Sequence, residues 1–336
     1  MDKADRIKKQ KDDHKELIEQ INQGVLNVFQ SENYKNYLKF CAKFNQYSFN
    51  NKVLIYDQKP DATLVAGFSK WKTYGRHIKS GEKGIKIVSP YKFNIPIIKD
   101  PAAVPASTSP SHITESEVET KTFIKFKKAY VFDVSQTDGK ELPSVGVKEL
   151  TAAVDHYSDI KEALEKISPV PIHFEDIKNG AKGFYAYDKE DPEKPGFIVV
   201  QKGMPEAQTL KTMIHEISHS IIDNPKSDIP SADKSTREVR AEAIAFIVCD
   251  HFGLDTSDYT FPYLATWTKG REVPELKENL KIITDTSSKI YEDMQEIMKD
   301  RELIIDNLDS VIESAEAEAD GSDQKETKKQ DLEIAC

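Results

Sequence analysis

The sequence predicts an α+β fold in two parts, and three observations carry that prediction. Helical stripes occupy both ends of the chain, short strand-like segments bounded by turn residues lie between them, and a Ser/Pro-rich stretch at about 100–118 interrupts one strand pair. Taken in order, residues 13–45 read as helical, with Leu17, Ile18, Ile21, Val25, Leu26 and Phe29 as the apolar stripe. Residues 50–58 form another helix and 68–74 a short one. The Lys79-Ser80-Gly81-Glu82-Lys83-Gly84 turn then leads into a strand over 85–88. Pro101, Pro105 and Pro110 among serines and threonines mark an excursion, after which 122–133 returns to the same sheet. A boundary is expected near Leu142-Pro143-Ser144. Beyond it come a helix over 149–167, strands near Ile172, Phe184 and 197–200, two further helices, and a largely helical stretch over 256–313. The expected parts are therefore 1–142, 143–312 and an acidic tail over 313–336.

Composition narrows the class. With 336 residues, 38% of them hydrophobic, the chain can bury two modest cores. It has no apolar run long enough to span a membrane, and Met1-Asp2-Lys3-Ala4-Asp5-Arg6 lacks a secretory apolar region. Cys41, Cys249 and Cys336 are scattered without metal-ligand spacing, as free thiols in a reducing cytoplasm would be.

The chemistry concentrates in His215-Glu216-Ile217-Ser218-His219. Ala207, Leu210, Ile214, Ile217 and Ile221 place this stretch on a helix, with Gly203 and Pro205 suiting its start and Asn224-Pro225 its stop. Two histidines four apart share a helix face and can converge on one metal ion, with zinc the expected metal. Glu216 projects beside them, where it can take a proton from a water activated by the metal, and the combination points to hydrolysis of a peptide bond.

The third ligand sets the subclass. A histidine six residues after the second motif histidine is ruled out by Pro225. A glutamate on a later helix remains, and residues 235–253 supply that helix, with Val239, Ala243, Phe246 and Ile247 as its stripe and Gly253 at its end. Glu238 and Glu242 are four apart and share a face, so both stay open as ligands. Ser235-Thr236-Arg237-Glu238 matches a capping box, which gives Glu238 a structural task and favours Glu242 for the metal, with Glu238 as alternate or supporting group.

A net charge of −10 hides an uneven distribution. Between residues 67 and 93 stand Lys70, Lys72, Arg76, Lys79, Lys83, Lys86 and Lys92 with Glu82 the one acid, and Phe68, Trp71, Tyr74 and Tyr91 are interleaved. Cations for phosphates and aromatic faces for bases suit a single-stranded nucleic-acid site; a solvated lysine face over an aromatic core is the other reading.

Two sets of motifs, in this order, carry a family resemblance. His215-Glu216-x-x-His219 followed by Arg237-Glu238-Val239-Arg240-Ala241-Glu242-Ala243-x-x-Phe246 resembles the metallopeptidase half of ArdC-type antirestriction proteins and, more distantly, ImmA/IrrE-type zinc peptidases. The amino-terminal set is Tyr47-Ser48-Phe49-Asn50-Asn51, Leu54-Ile55, Pro60-Asp61-Ala62, Gly67-Phe68, Trp71, Gly75-Arg76, Lys79-x-Gly81-Glu82-Lys83-Gly84-Ile85 and Val131-Phe132-Asp133-Val134-Ser135-Gln136-Thr137. It resembles the single-stranded-DNA-binding domain of the same family. The resemblance spans roughly residues 10–270; the Ser/Pro-rich insertion and acidic tail depart from it. It implies a small α+β DNA-binding domain followed by a gluzincin-like zinc peptidase domain with a helical end. It also implies a role in protecting incoming single-stranded DNA of a mobile element, with a protein substrate still unnamed. A regulatory protease that cleaves a repressor, and a DNA-binding protein with a vestigial zinc site, are the alternatives.

Overall fold

The computed structural model describes residues 3–29, 31–98, 118–142, 157–191, 193–254, 261 and 264–298. Residues 100–117 of the Ser/Pro-rich segment, the expected boundary at Pro143-Ser144, and the acidic tail with Cys336 lie outside them, as do parts of the expected helices over 149–167 and 256–313. Among the described residues the fold is α+β. The first helical stretch is two helices, α1 (Lys3–Val28) and α2 (Ser31–Lys43), followed by α3 (Phe49–Gln58). Then come β1 (Val65–Gly67), α4 (Phe68–Thr73), β2 (Arg76–Ile78), β3 (Ile85–Ile98), β4 (Val118–Asp133) and β5 (Thr137–Gly139). The remaining elements are α5 (Tyr157–Ile167), β6 (Ile172–Glu175), β7 (Gly183–Ala186), β8 (Phe197–Gln201), α6 (Glu206–Ile222), α7 (Lys234–His251), α8 (Leu264–Thr268) and α9 (Val273–Met298). No helix among the described residues is long and apolar enough to cross a membrane.

The expected return over 122–133 is β4, antiparallel to β3 in a sheet ordered β1-β4-β3. Both strands run further than the sequence pattern indicates. The exposed edge of β3 is closed by side chains of α3, which mimic a neighbouring strand. Asn51 donates to the Val88 carbonyl and accepts from its N–H, both at 2.9 Å, and Gln58 does the same for Lys86. At the other end of β4, buried Asp133 accepts from the Thr63 and Leu64 amides at 2.8 and 3.1 Å, fastening the β1 entry. Its other oxygen caps the 3-10 turn Val134–Gln136, while the Gln136 amide reaches Glu82 and the Lys83 carbonyl. Much of the amino-terminal motif set is thus structural.

The second sheet is ordered β6-β8-β7, with β6 parallel and β7 antiparallel to β8. The chain passes from β8 almost directly into α6, which packs back on β7 and β8 and lies against α7. Leu210, Ile214 and Ile217 are fully buried, as the helical stripe requires, whereas Ala207 and Ile221 at its ends are half-buried. The helices of both parts share one continuous core rather than two. α7 packs on α2 as well as on α6 and α9, Phe29 stands 5.6 Å from the Trp267 ring, and Tyr34 meets Phe261 edge-on at 5.0 Å.

Candidate metal centre and nucleic-acid interface

His215 and His219 lie one turn apart on α6 and turn their Nε2 atoms towards each other at 3.1 Å. Each Nδ1 faces a carboxylate on the opposite side. His219 Nδ1 is 2.6 Å from Asp223 Oδ2, one turn further along α6, and His215 Nδ1 is 3.3 Å from Glu242 Oε2. An ionised carboxylate only accepts, so these contacts place a proton on each Nδ1 and turn both Nε2 atoms inwards.

Glu238 Oε2 completes the triangle, 3.8 Å from His215 Nε2 and 3.7 Å from His219 Nε2. Among the described residues these three are the group whose donor atoms all lie within 4.8 Å of one another. Three electron-rich atoms at this separation repel unless a proton or cation sits among them. Donors about 2.0–2.1 Å from a tetrahedral zinc lie roughly 3.3–3.4 Å apart, so the triangle fits that ion.

The expectation that favoured Glu242 is therefore not what the geometry shows. Ser235 is not the cap: α7 begins at Lys234, and Asp233 is its N-cap, accepting from the Thr236 N–H at 3.0 Å and hydroxyl at 2.8 Å. The expected capping box does not form, and Glu238 stands a turn inside the helix, free to face α6. Glu242, a further turn along, passes the Nε2 pair and meets the back of His215.

Glu216 is buried, at 7% exposure, and accepts a hydrogen bond from the Tyr185 backbone. Burial pushes its carboxyl up, against the opposing pull of His215 and His219. For His219 burial acts downward, but its hydrogen bond to Asp223 and the nearby Glu238 carboxylate hold the imidazolium up to about 9. The facing His219 in turn keeps Glu238 below the usual carboxylate range. Two hollows of about 450 and 320 Å³ meet over this site, sharing Gly183, His215 and Glu216 in their walls. One carries Lys182 and Lys211, the other Lys234 and Arg237. Along their side runs β7, which pairs only with β8 in this sheet. The amide of Gln201 bonds the Lys182 carbonyl, so antiparallel alternation turns the backbone groups of Gly183 and Tyr185 away from β8, on the side of Glu216.

The basic residues chosen from the sequence do not act as one set. Trp71 is fully buried and donates from Nε1 to the Phe132 carbonyl at 2.9 Å, so it is not a stacking platform. Arg76 binds Thr137 Oγ1, the Thr137 carbonyl and the Lys140 carbonyl, clamping β2 to β5. Lys79 donates to the Ser135 carbonyl and pairs with Asp138, and Lys86 pairs with Glu16 of α1 at 2.6 Å. Lys70 lies over the Tyr74 ring at 5.2 Å. Lys70, Lys72 and Lys83 are exposed.

Residues 8–132 match the model of the N-terminal domain of anti-restriction factor ArdC. Over those residues the chain is similar to that domain. The uncharacterized protein pXO2-81 of Bacillus anthracis is 28% identical over 324 residues, which cover 87% of this chain and 54% of that protein. The chain thus spans about half the length of that relative. Two crystal structures of Antirestriction ArdC protein from R388 plasmid are also similar. The metal-free form gives a TM-score of 0.45 at 18% identity, covering 76% of this chain and 86% of that one. The Mn(II)-bound form gives 0.42 at 19%, covering 75% and 84%.

Within residues 8–132 the basic cluster expected over 67–93 leaves out the lysines of β4, which lie on the returning strand. The expected metal site also leaves out Asp223, although the spacing of four from His219 is the signal that finds it. Nothing in the sequence marks Gly183 or Tyr185.

Proposed function

We propose that this chain is a zinc-dependent peptidase joined to a single-stranded-DNA-binding, antirestriction-type module of a mobile element. The observation that carries the enzymatic half is the convergence of His215 Nε2, His219 Nε2 and Glu238 Oε2 beside buried Glu216, under the edge of β7 turned away from β8. The ArdC-type domain supports the antirestriction half.

Zinc held by His215, His219 and Glu238 would polarise a substrate carbonyl and make water a nucleophile near neutral pH. Asp223 and Glu242 orient the two imidazoles through Nδ1, fixing the tautomer that presents Nε2. An extended peptide can add to β7 through the outward backbone groups of Gly183 and the carbonyl of Tyr185, which brings its own carbonyl across the His215–Glu216 face. Glu216 takes the proton of the attacking water and hands it to the leaving amide nitrogen; burial, by raising its carboxyl, suits the group to both transfers. The Tyr185 N–H holds the carboxylate in place for this.

Glu216→Gln keeps the three metal-facing atoms. The full-length variant is expected to retain zinc by elemental analysis while hydrolysis of a mixed library of extended peptides falls about 10²- to 10⁴-fold. Equal turnover in Glu216→Gln, or no zinc after metal-replete purification, would refute the proposal.

A further inference from the structure

β3 and β4 stay paired from Ile85↔Val131 out to Ile98↔Val118, forming a two-stranded ribbon that continues past the segment packed into the core. Paired residues share a face and alternate residues change sides. Tyr91, Phe93, Lys121, Phe123, Lys125 and Lys127 therefore stand on one face. The rings form a row, with centroids 6.1 Å apart from Tyr91 to Phe93 and 5.8 Å from Phe93 to Phe123. Lysine ammoniums hover over it: Lys125 Nζ is 4.8 Å from the Phe93 ring and Lys127 Nζ 5.6 Å from that of Tyr91. Phe123 and the three lysines are exposed. Towards its base the same face turns into buried Ile85, Ile87 and Val131, which anchor the row to the core.

We infer that this face of the ribbon is where the ArdC-type domain binds single-stranded DNA. The inference rests on the DNA-binding reading above and deepens it by naming the surface. Successive rings offer stacking faces to successive bases, and lysines in the neighbouring pairs reach the flanking phosphates. A lysine leaves an exposed ring for a phosphate readily, because an exposed cation–π contact is weaker than base–aromatic stacking. The occupant is single-stranded because a base in a duplex has both faces covered by its neighbours. The cations first suggested by the sequence compete poorly for this role, since Arg76, Lys79 and Lys86 are engaged by protein oxygens.

The test is fluorescence anisotropy of a labelled oligothymidylate and a duplex of equal length, using the full chain. K121Q/K125Q/K127Q changes only exposed positions. It should weaken single-strand binding at least tenfold and reduce the salt dependence, the slope of log K against log salt, by about 2, given about 0.7 per neutralised phosphate. F93A/F123A should weaken binding at least tenfold with the slope kept. Ribbon variants that bind like the unaltered chain would overturn the inference while leaving the DNA-binding reading intact. So would a larger loss in K72Q/K83Q. An unaltered chain that prefers duplex, or binds no single strand, would remove both.

Discussion

At the scale of single residues, the two glutamates of α7 show how one helix start redistributes chemistry. With Ser235 as cap, Glu238 would be occupied at the helix end; with Asp233 as cap, it lies a turn inside and faces the histidine pair. The two carboxylates then have separate tasks, Glu238 towards Nε2 and Glu242 behind His215 at Nδ1. Loss of a ligand removes a bond to the ion, whereas loss of a group behind a histidine costs about 10- to 100-fold in affinity. Zinc titration against a chelator should therefore show Glu238→Ala as the more damaging change by at least tenfold, with Glu242→Ala inside the 10- to 100-fold range. The reverse order would return the ligand role to Glu242.

Among elements, the contact between β7 and α6 sets the position of Glu216. Gly183 lets the strand approach the helix. A Cβ there would come within 2.6 Å of Thr212 Cγ2, 3.0 Å of the Val199 carbonyl oxygen and 3.1 Å of Glu216 Cγ. Gly183→Ala must push β7 and α6 apart, a form of overpacking that costs about 1–3 kcal/mol. The melting temperature should fall accordingly. Peptide turnover should fall with it while zinc is retained, because the Glu216–Tyr185 contact is disturbed and the histidine face is not. A variant as stable and as active as the parent would mean that the strand has slack. The sheet order matters too: among the described residues no strand pairs with β7 on the side away from β8, because β6 pairs on the far side of β8.

For the molecule as a whole, the amino-terminal helices are seated on the helices that carry the candidate site. His251, at the end of α7, is one fastening. It is half-buried, its Nδ1–H donates to the Ala42 carbonyl of α2 at 2.6 Å, and its ring stands 3.7 Å from that of Tyr291 on α9. Desolvation pushes its pKa down to about 4, against a smaller upward pull from the Ala42 bond. The unfolded chain, with an ordinary histidine near 6.5, binds this proton first as pH falls. Stability is therefore complete above about pH 6.5 and is lost progressively towards pH 4, by up to on the order of 3 kcal/mol at 1.36 kcal/mol per unit. Thermal melts across this window should show a steeper fall for the parent than for His251→Asn, which can keep a donor towards Ala42. Parallel curves would remove His251 as the source.

The sequence by itself determined the α+β class, the order of most elements and the presence of the His215-Glu216-x-x-His219 helix. These depend on local spacing: periodicity of apolar residues, turn residues and one-turn offsets along a single helix. It also located the returning strand and the ArdC-type motifs, many of which serve to tie strands together, as Asn51, Asp133 and Gln136 do. Only the tertiary structure decided which glutamate faces the histidines, because that depends on the rotation of α7 against α6 rather than on spacing within either. It alone buried Trp71, engaged Arg76 and Lys86, and set Tyr91, Phe93 and Phe123 in one row, since strand register joins residues some thirty positions apart. Spacing along one helix is local geometry; which side of it meets another element is settled by packing across the whole core.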